Sequence, residues 1–125
     1  MSKEKDYFDS ITTKMVLSQL FKSLNTMRIV SLKTTSYAVH NTSNAYCREI
    51  QSLILELAHV HFGVIKKKEL DEIPSAKYVD PTMHLNDINY YLDNNRKLFK
   101  TSQESNIIDE ILKLISKTKN LLTLE

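Results

Sequence analysis

Apolar side chains recur at intervals of three and four along most of this chain, and each such run predicts a helix. Ile11, Met15, Leu17, Leu20, Phe21, Leu24, Met27 and Val30 predict a long first helix over about residues 8–40. Asn41-Thr42-Ser43-Asn44 is then expected to interrupt it, because all four residues favour caps and turns. A second helix is expected over about residues 44–67, on a stripe of Tyr46, Ile50, Leu53, Leu57, Val60 and Val64. Cys47, Ile54, Ala58 and Ile65 widen that stripe until it suits a core rather than a two-helix seam.

Residues 69–80 read as a connection that holds Pro74 and ends in Asp80-Pro81, a helix start signal. Leu85, Ile88, Tyr91, Leu92, Leu98 and Phe99 predict a third helix over about 81–100. Thr101 and Glu104 have capping-box spacing. They open a fourth helix over about 102–123, with Ile107, Ile108, Ile111, Leu112, Ile115 and Leu122 inward. The pattern therefore predicts a single all-α domain over residues 1–125, a four-helix bundle. Its longest link joins the second and third helices, a length compatible with a crossover.

Composition agrees. One glycine and two prolines in 125 residues leave little material for hairpins or phosphate-binding loops, and 42% apolar residues supply a core. Seventeen Lys and Arg against fifteen Asp and Glu give a net charge of +2, too balanced to argue for nucleic acid by itself. The single cysteine, Cys47, has no partner for an internal disulfide. The first residues alternate in charge without an apolar run behind them, and no apolar stretch reaches the roughly 18 residues of a membrane span. The expected location is intracellular, in a host cytoplasm or a virion, and not secreted.

Candidate chemistry is sparse. Glu56 and His59 stand three apart, on one helix face, the spacing of one Glu-x-x-His pair of a ferritin-type di-iron site, which needs two such pairs and two further carboxylates. Glu56 and His61 are expected on the solvated face, and His59 partly buried. Cys47 with His40 is the nearest approach to a nucleophile and base. Lys66-Lys67-Lys68, with Arg96, Lys97 and Lys100, is the candidate contact to DNA, but Glu69, Asp71 and Glu72 cancel much of the first cluster's field.

The stretch from Leu20 to Gly63 carries Leu24-Asn25-Thr26-Met27 and Lys33-Thr34-Thr35-Ser36-Tyr37-Ala38-Val39-His40, followed by Tyr46, Ile50, Leu53, Leu57 and Val60. It resembles a group of short helical proteins from phages and large DNA viruses, which is similar in turn to Dps, the ferritin-like mini-ferritins. The resemblance implies a ferritin-like bundle and a homodimer or higher homo-oligomer that pairs its first two helices. It also implies an iron-oxidising site shared between two subunits. Ser31-Leu32 stands where that site has His-Trp, His40 matches its second histidine, and Leu55 and His59 occupy its Asp and Glu positions. Iron at such sites needs hard carboxylate oxygens, which Leu55 lacks. Ferroxidase activity is therefore expected to be absent, with no resident cofactor. A residual divalent-metal pair, His40 and His59, is the alternative.

Overall fold

The computed structural model describes residues 12–66 and 70–124. It holds four α-helices, α1 (Thr13–Lys33), α2 (Tyr37–Ile65), α3 (Pro81–Asn95) and α4 (Ser102–Thr123). A short 3-10 turn, Arg96–Leu98, follows α3. No strand occurs among the described residues.

The break between the first two helices falls earlier than the sequence reading placed it. It lies at Thr34–Ser36, and Asn41–Asn44 sit inside α2. Three consecutive hydroxyl side chains make the break. Thr34 Oγ1 accepts from Ser36 N at 3.1 Å, and Ser36 Oγ accepts from Val39 N at 3.2 Å, which caps α2. Side chains that bond their own backbone compete with the helix ladder. His40 strengthens the turn by donating from Nδ1 to the Ser31 carbonyl at 2.7 Å, occupying one of the carbonyls orphaned at the end of α1.

The later boundaries follow the sequence more closely. Asp80 caps α3 by accepting from Met83 N, and Pro81 occupies the first turn. The α-helix ends at Asn95, and the next three residues tighten into 3-10 geometry instead of running on to residue 100. Thr101 and Glu104 form the full capping box of α4. At the end of α2, Lys66 adopts a left-handed conformation with φ of 58°. Lys67 and Lys68 lie outside the described residues, as does the expected start of the first helix before residue 12.

Packing joins α1 to α2 and to α3, and α4 to α2 and to α3. The pairs α1–α4 and α2–α3 thus lie across the diagonals of the bundle. The path of the long link fixes the directions. Ser18 Oγ donates to Asp71 O at 2.7 Å, so the link starts beside the first half of α1. Ser75, Lys77 and Val79 then share a cleft with Gln19, Lys22 and Thr26, and His84 Nε2 reaches Ser23 Oγ at 2.7 Å. The link therefore climbs along α1, and α3 begins beside its middle. From there α3 returns, and Phe99 meets the His61 ring edge-on at 5.1 Å. Helices α1 and α4 run one way, and α2 and α3 run the other.

The core is mainly aliphatic, with Tyr46 and Phe99 as its buried aromatic members. Leu17, Leu20, Met27, Ile50, Ile54, Leu57, Leu85, Leu92, Ile108, Ile111 and Ile115 are fully buried. The stripe of α2 surfaces in its last turns, where Val64 and Ile65 are exposed. Among the described residues Ser43 is the exception to good satisfaction: its hydroxyl is buried without a hydrogen-bond partner. A buried unpaired hydroxyl costs about 1–3 kcal/mol. Ser43→Ala is expected to raise stability by about 1 kcal/mol, measured by urea denaturation, because alanine also favours the helix.

Candidate functional site

Two polar clusters are built into this apolar frame. The first ties one end of the bundle together. His61, on α2, is buried, and its Nδ1–H donates to Glu104 Oε2 on α4. His61 Nε2 meets the Thr13 hydroxyl of α1 at 2.8 Å. The other carboxylate oxygen, Glu104 Oε1, accepts from the Thr101 hydroxyl at 2.8 Å and the Thr101 amide at 3.2 Å. Burial pushes the Glu104 carboxyl up, but hydrogen bonds from His61 and Thr101 outweigh it and hold the group below its ordinary range. Hydroxyl, imidazole and carboxylate stand in the order used to activate nucleophiles. Here the carboxylate doubles as a helix cap, and Phe99 covers the ring edge-on. Neither of the two described clefts includes Thr13. The row works as a strut joining three helices.

This placement corrects the sequence reading. His61 was expected on the solvated face and is buried; His59 was expected to be partly buried and is exposed. The signal for His61 lay in the stripe itself. Ile50, Ile54, Leu57 and His61 follow one another at intervals of four, three and four, so His61 occupies a core position.

The second cluster sits at mid-height. Ser23 Oγ lies 2.9 Å from Tyr46 Oη and 2.7 Å from His84 Nε2. Ser23 and Tyr46 are buried, and His84 edges a cleft of about 490 Å³ between α1, the crossover link and α3. Desolvation lowers the His84 pKa, partly countered by Asp87 and reinforced by Lys22. Burial also pushes the Tyr46 phenol far up. No local pattern announces this grouping, because Ser23, Tyr46 and His84 come from three helices.

The candidate metal residues do not converge within one chain. His40 and His59 both lie on α2, nineteen positions apart. At 1.5 Å per residue that is about 28 Å. The structure instead joins Ser31 to His40, with Ser31 Oγ 3.1 Å from Nδ1. Leu55 is 52% exposed. Glu56 is exposed beside His59. Among the described residues no three His, Cys, Asp or Glu side chains gather as a metal would require.

Cys47 is buried, bonds toward the Leu24 carbonyl and has its thiol pushed up to about 11 by burial. It stays a thiol at neutral pH and does not meet His40, two helical turns away. Of the candidate cations for DNA, Lys66 is exposed at the helix end, and Arg96 is bound to Asp109 and Asp93. Lys97 and Lys100 are exposed.

No described helix is long and apolar enough to cross a membrane. Compared with protein-family models, curated proteins and solved structures, the chain finds no match in any of the three.

Proposed function

We propose that this chain is a non-catalytic helical bundle of ferritin-like, Dps-like arrangement, which self-associates through the outer face of α1 and α2 and serves a structural or interaction role. The reading rests chiefly on the apolar side chains left on that face. Leu32 and Tyr37 are 82% and 80% exposed, and Leu55 is 52% exposed. Tyr37 and Leu55 are eighteen residues apart, which is five turns of helix, so they share one side of α2. Arg28, one turn before Leu32, donates to Gln51 at 2.8 Å and binds the two helices' outer surfaces into one face.

Large exposed apolar groups on one face mark a contact surface. A two-fold axis level with Tyr46 makes this one self-complementary. It would set Tyr37 against Leu55 of the partner subunit, and Asn44 against Arg48 of the partner subunit. The crossover path of the long link supports the ferritin-like part of the reading, because bundles of that class carry one long crossover connection. A virion or host-cell setting goes with the same reading.

The test is a charge placed in the face. Leu55→Asp is expected to weaken association at least tenfold in sedimentation velocity while leaving the circular dichroism spectrum unchanged. Unchanged association in that variant and in Tyr37→Asp would refute the interface. Mixing the protein with ferrous iron and air is expected to give no oxidation above background.

One observation favours a second reading, a metal-binding bundle. His40 donates from Nδ1 to a backbone carbonyl, which orients an imidazole as metal ligands are oriented and leaves Nε2 to accept. An axis between residues 49 and 50 would bring it beside His59 of the partner subunit. Zinc retained after dialysis, and lost on replacing both histidines with alanine, would establish that reading in place of the first.

A further inference from the structure

The hydrogen-bond count around Ser23 fixes the state of His84. Tyr46 is buried, and the Ser23 hydroxyl is its only hydrogen-bond partner among the described residues. A buried phenol that fails to donate carries a desolvation penalty. Tyr46 therefore donates to Ser23. Ser23 has one proton, and its remaining partner is His84 Nε2. The serine donates there, and the relay runs from Tyr46 through Ser23 to His84. Nε2 is thereby an acceptor, so the neutral imidazole carries its proton on Nδ1. That N–H has no protein acceptor among the described residues, and His84 lines the cleft.

The rest of the cleft sets the chemistry of an occupant. Lys22 and Lys77 supply cations, one from α1 and one from the crossover link. Val79, Ile88 and Tyr91 supply an apolar flank. Two carboxylates also line it. Asp80 is held by the amide of Met83 at 2.9 Å as the cap of α3, whereas Asp87 is exposed. Two lysines against two aspartates cancel, so a dianion meets no surplus of positive charge here. An anion is held only by directed donors, and the His84 Nδ1–H with Lys22 can serve one carboxylate beside the apolar flank. The volume, about 490 Å³, is within the range of small-ligand sites.

We propose that this cleft binds a small organic carboxylate, with the carboxylate taken by His84 Nδ1–H and Lys22, and the apolar body laid against Ile88 and Tyr91. The site is independent of the α1–α2 outer face and of any metal. Ser23 and Tyr46 do not touch the ligand; they are positioning residues, acting through the tautomer of His84. Inorganic phosphate shares the anionic end but lacks the apolar body, and near neutral pH it is a mixture of monoanion and dianion. It is the discriminating comparison.

The experiment is an NMR titration of the full chain with phenylacetate, and separately with inorganic phosphate, at neutral pH. Phenylacetate is expected to bind at millimolar or tighter concentration, with shifts centred on Lys22, His84, Ile88 and Tyr91, and at least tenfold more tightly than phosphate. Lys22→Met is expected to weaken phenylacetate at least tenfold. In the unliganded protein, long-range nitrogen–proton spectra are expected to show His84 protonated on Nδ1. Tyr46→Phe, which retains the core ring, is expected to lose that tautomer preference and to weaken phenylacetate several-fold. No saturable shift at the cleft, equal or tighter binding of phosphate, or an Nε2-protonated His84 in the wild-type chain would each overturn the proposal.

Discussion

Glu104→Ala is expected to destabilise the bundle by about 3–5 kcal/mol, the cost of leaving one partner of a buried polar pair unmatched. Glu104 and His61 are 1% and 4% exposed, so solvent does little to screen the loss. The same substitution removes the carboxylate half of the α4 capping box and strands the Thr101 amide. For a domain of this size, whose total stability is on the order of 5–15 kcal/mol, that is a large share. Glu104→Gln keeps an acceptor for Thr101 and is expected to lose less, about 1–2 kcal/mol. Urea denaturation of the three proteins at pH 7 checks the order.

The pH dependence has a definite sign. The folded Glu104 carboxyl titrates below its ordinary value of 4.5. Its contribution is therefore fully present above about pH 4.5 and is lost as pH falls through the lower, folded value. Wild type is expected to lose stability more steeply than Glu104→Gln across that acid window. Parallel curves would show that the carboxylate charge does not hold the strut.

The second large effect lies in the core. Ile111→Ala is expected to cost about 2–5 kcal/mol, because the side chain is fully buried on the inner face of α4 and the cavity collapses only in part. Leu121→Ala on the same helix removes a side chain that is 43% exposed, and is expected to cost well under half as much. Thermal or chemical denaturation of the pair measures the contrast.

That contrast was legible in the sequence. Ile107, Ile108, Ile111 and Ile115 repeat at helical spacing, and Thr101 with Glu104 marks where the helix begins. The start of α3 at Asp80-Pro81 was equally plain, since both residues act locally. The first link was not. Asn41–Asn44 and Thr34–Ser36 each offer cap-forming side chains, and propensity does not choose between them. The choice was made by tertiary contacts: Ser43 and Tyr46 are buried on α2, and His40 reaches back to Ser31.

The polar clusters show a similar divide. His61 sits on an apolar stripe, so its burial could have been read; its bond to Glu104 could not, because the two residues are separated by the whole crossover and α3. The Ser23, Tyr46 and His84 relay depends on where the crossover deposits α3 along α1, which no local pattern encodes. The family resemblance, not any local pattern, implied a shared site at His40 and His59. The helix that carries both holds them about 28 Å apart in one chain.

Self-association through the α1–α2 face can be measured by sedimentation velocity of the purified chain over a hundredfold range of concentration. A species of at least twice the 14.5 kDa chain mass is expected, shifted toward monomer by Leu55→Asp. A monomer throughout that range would contradict it.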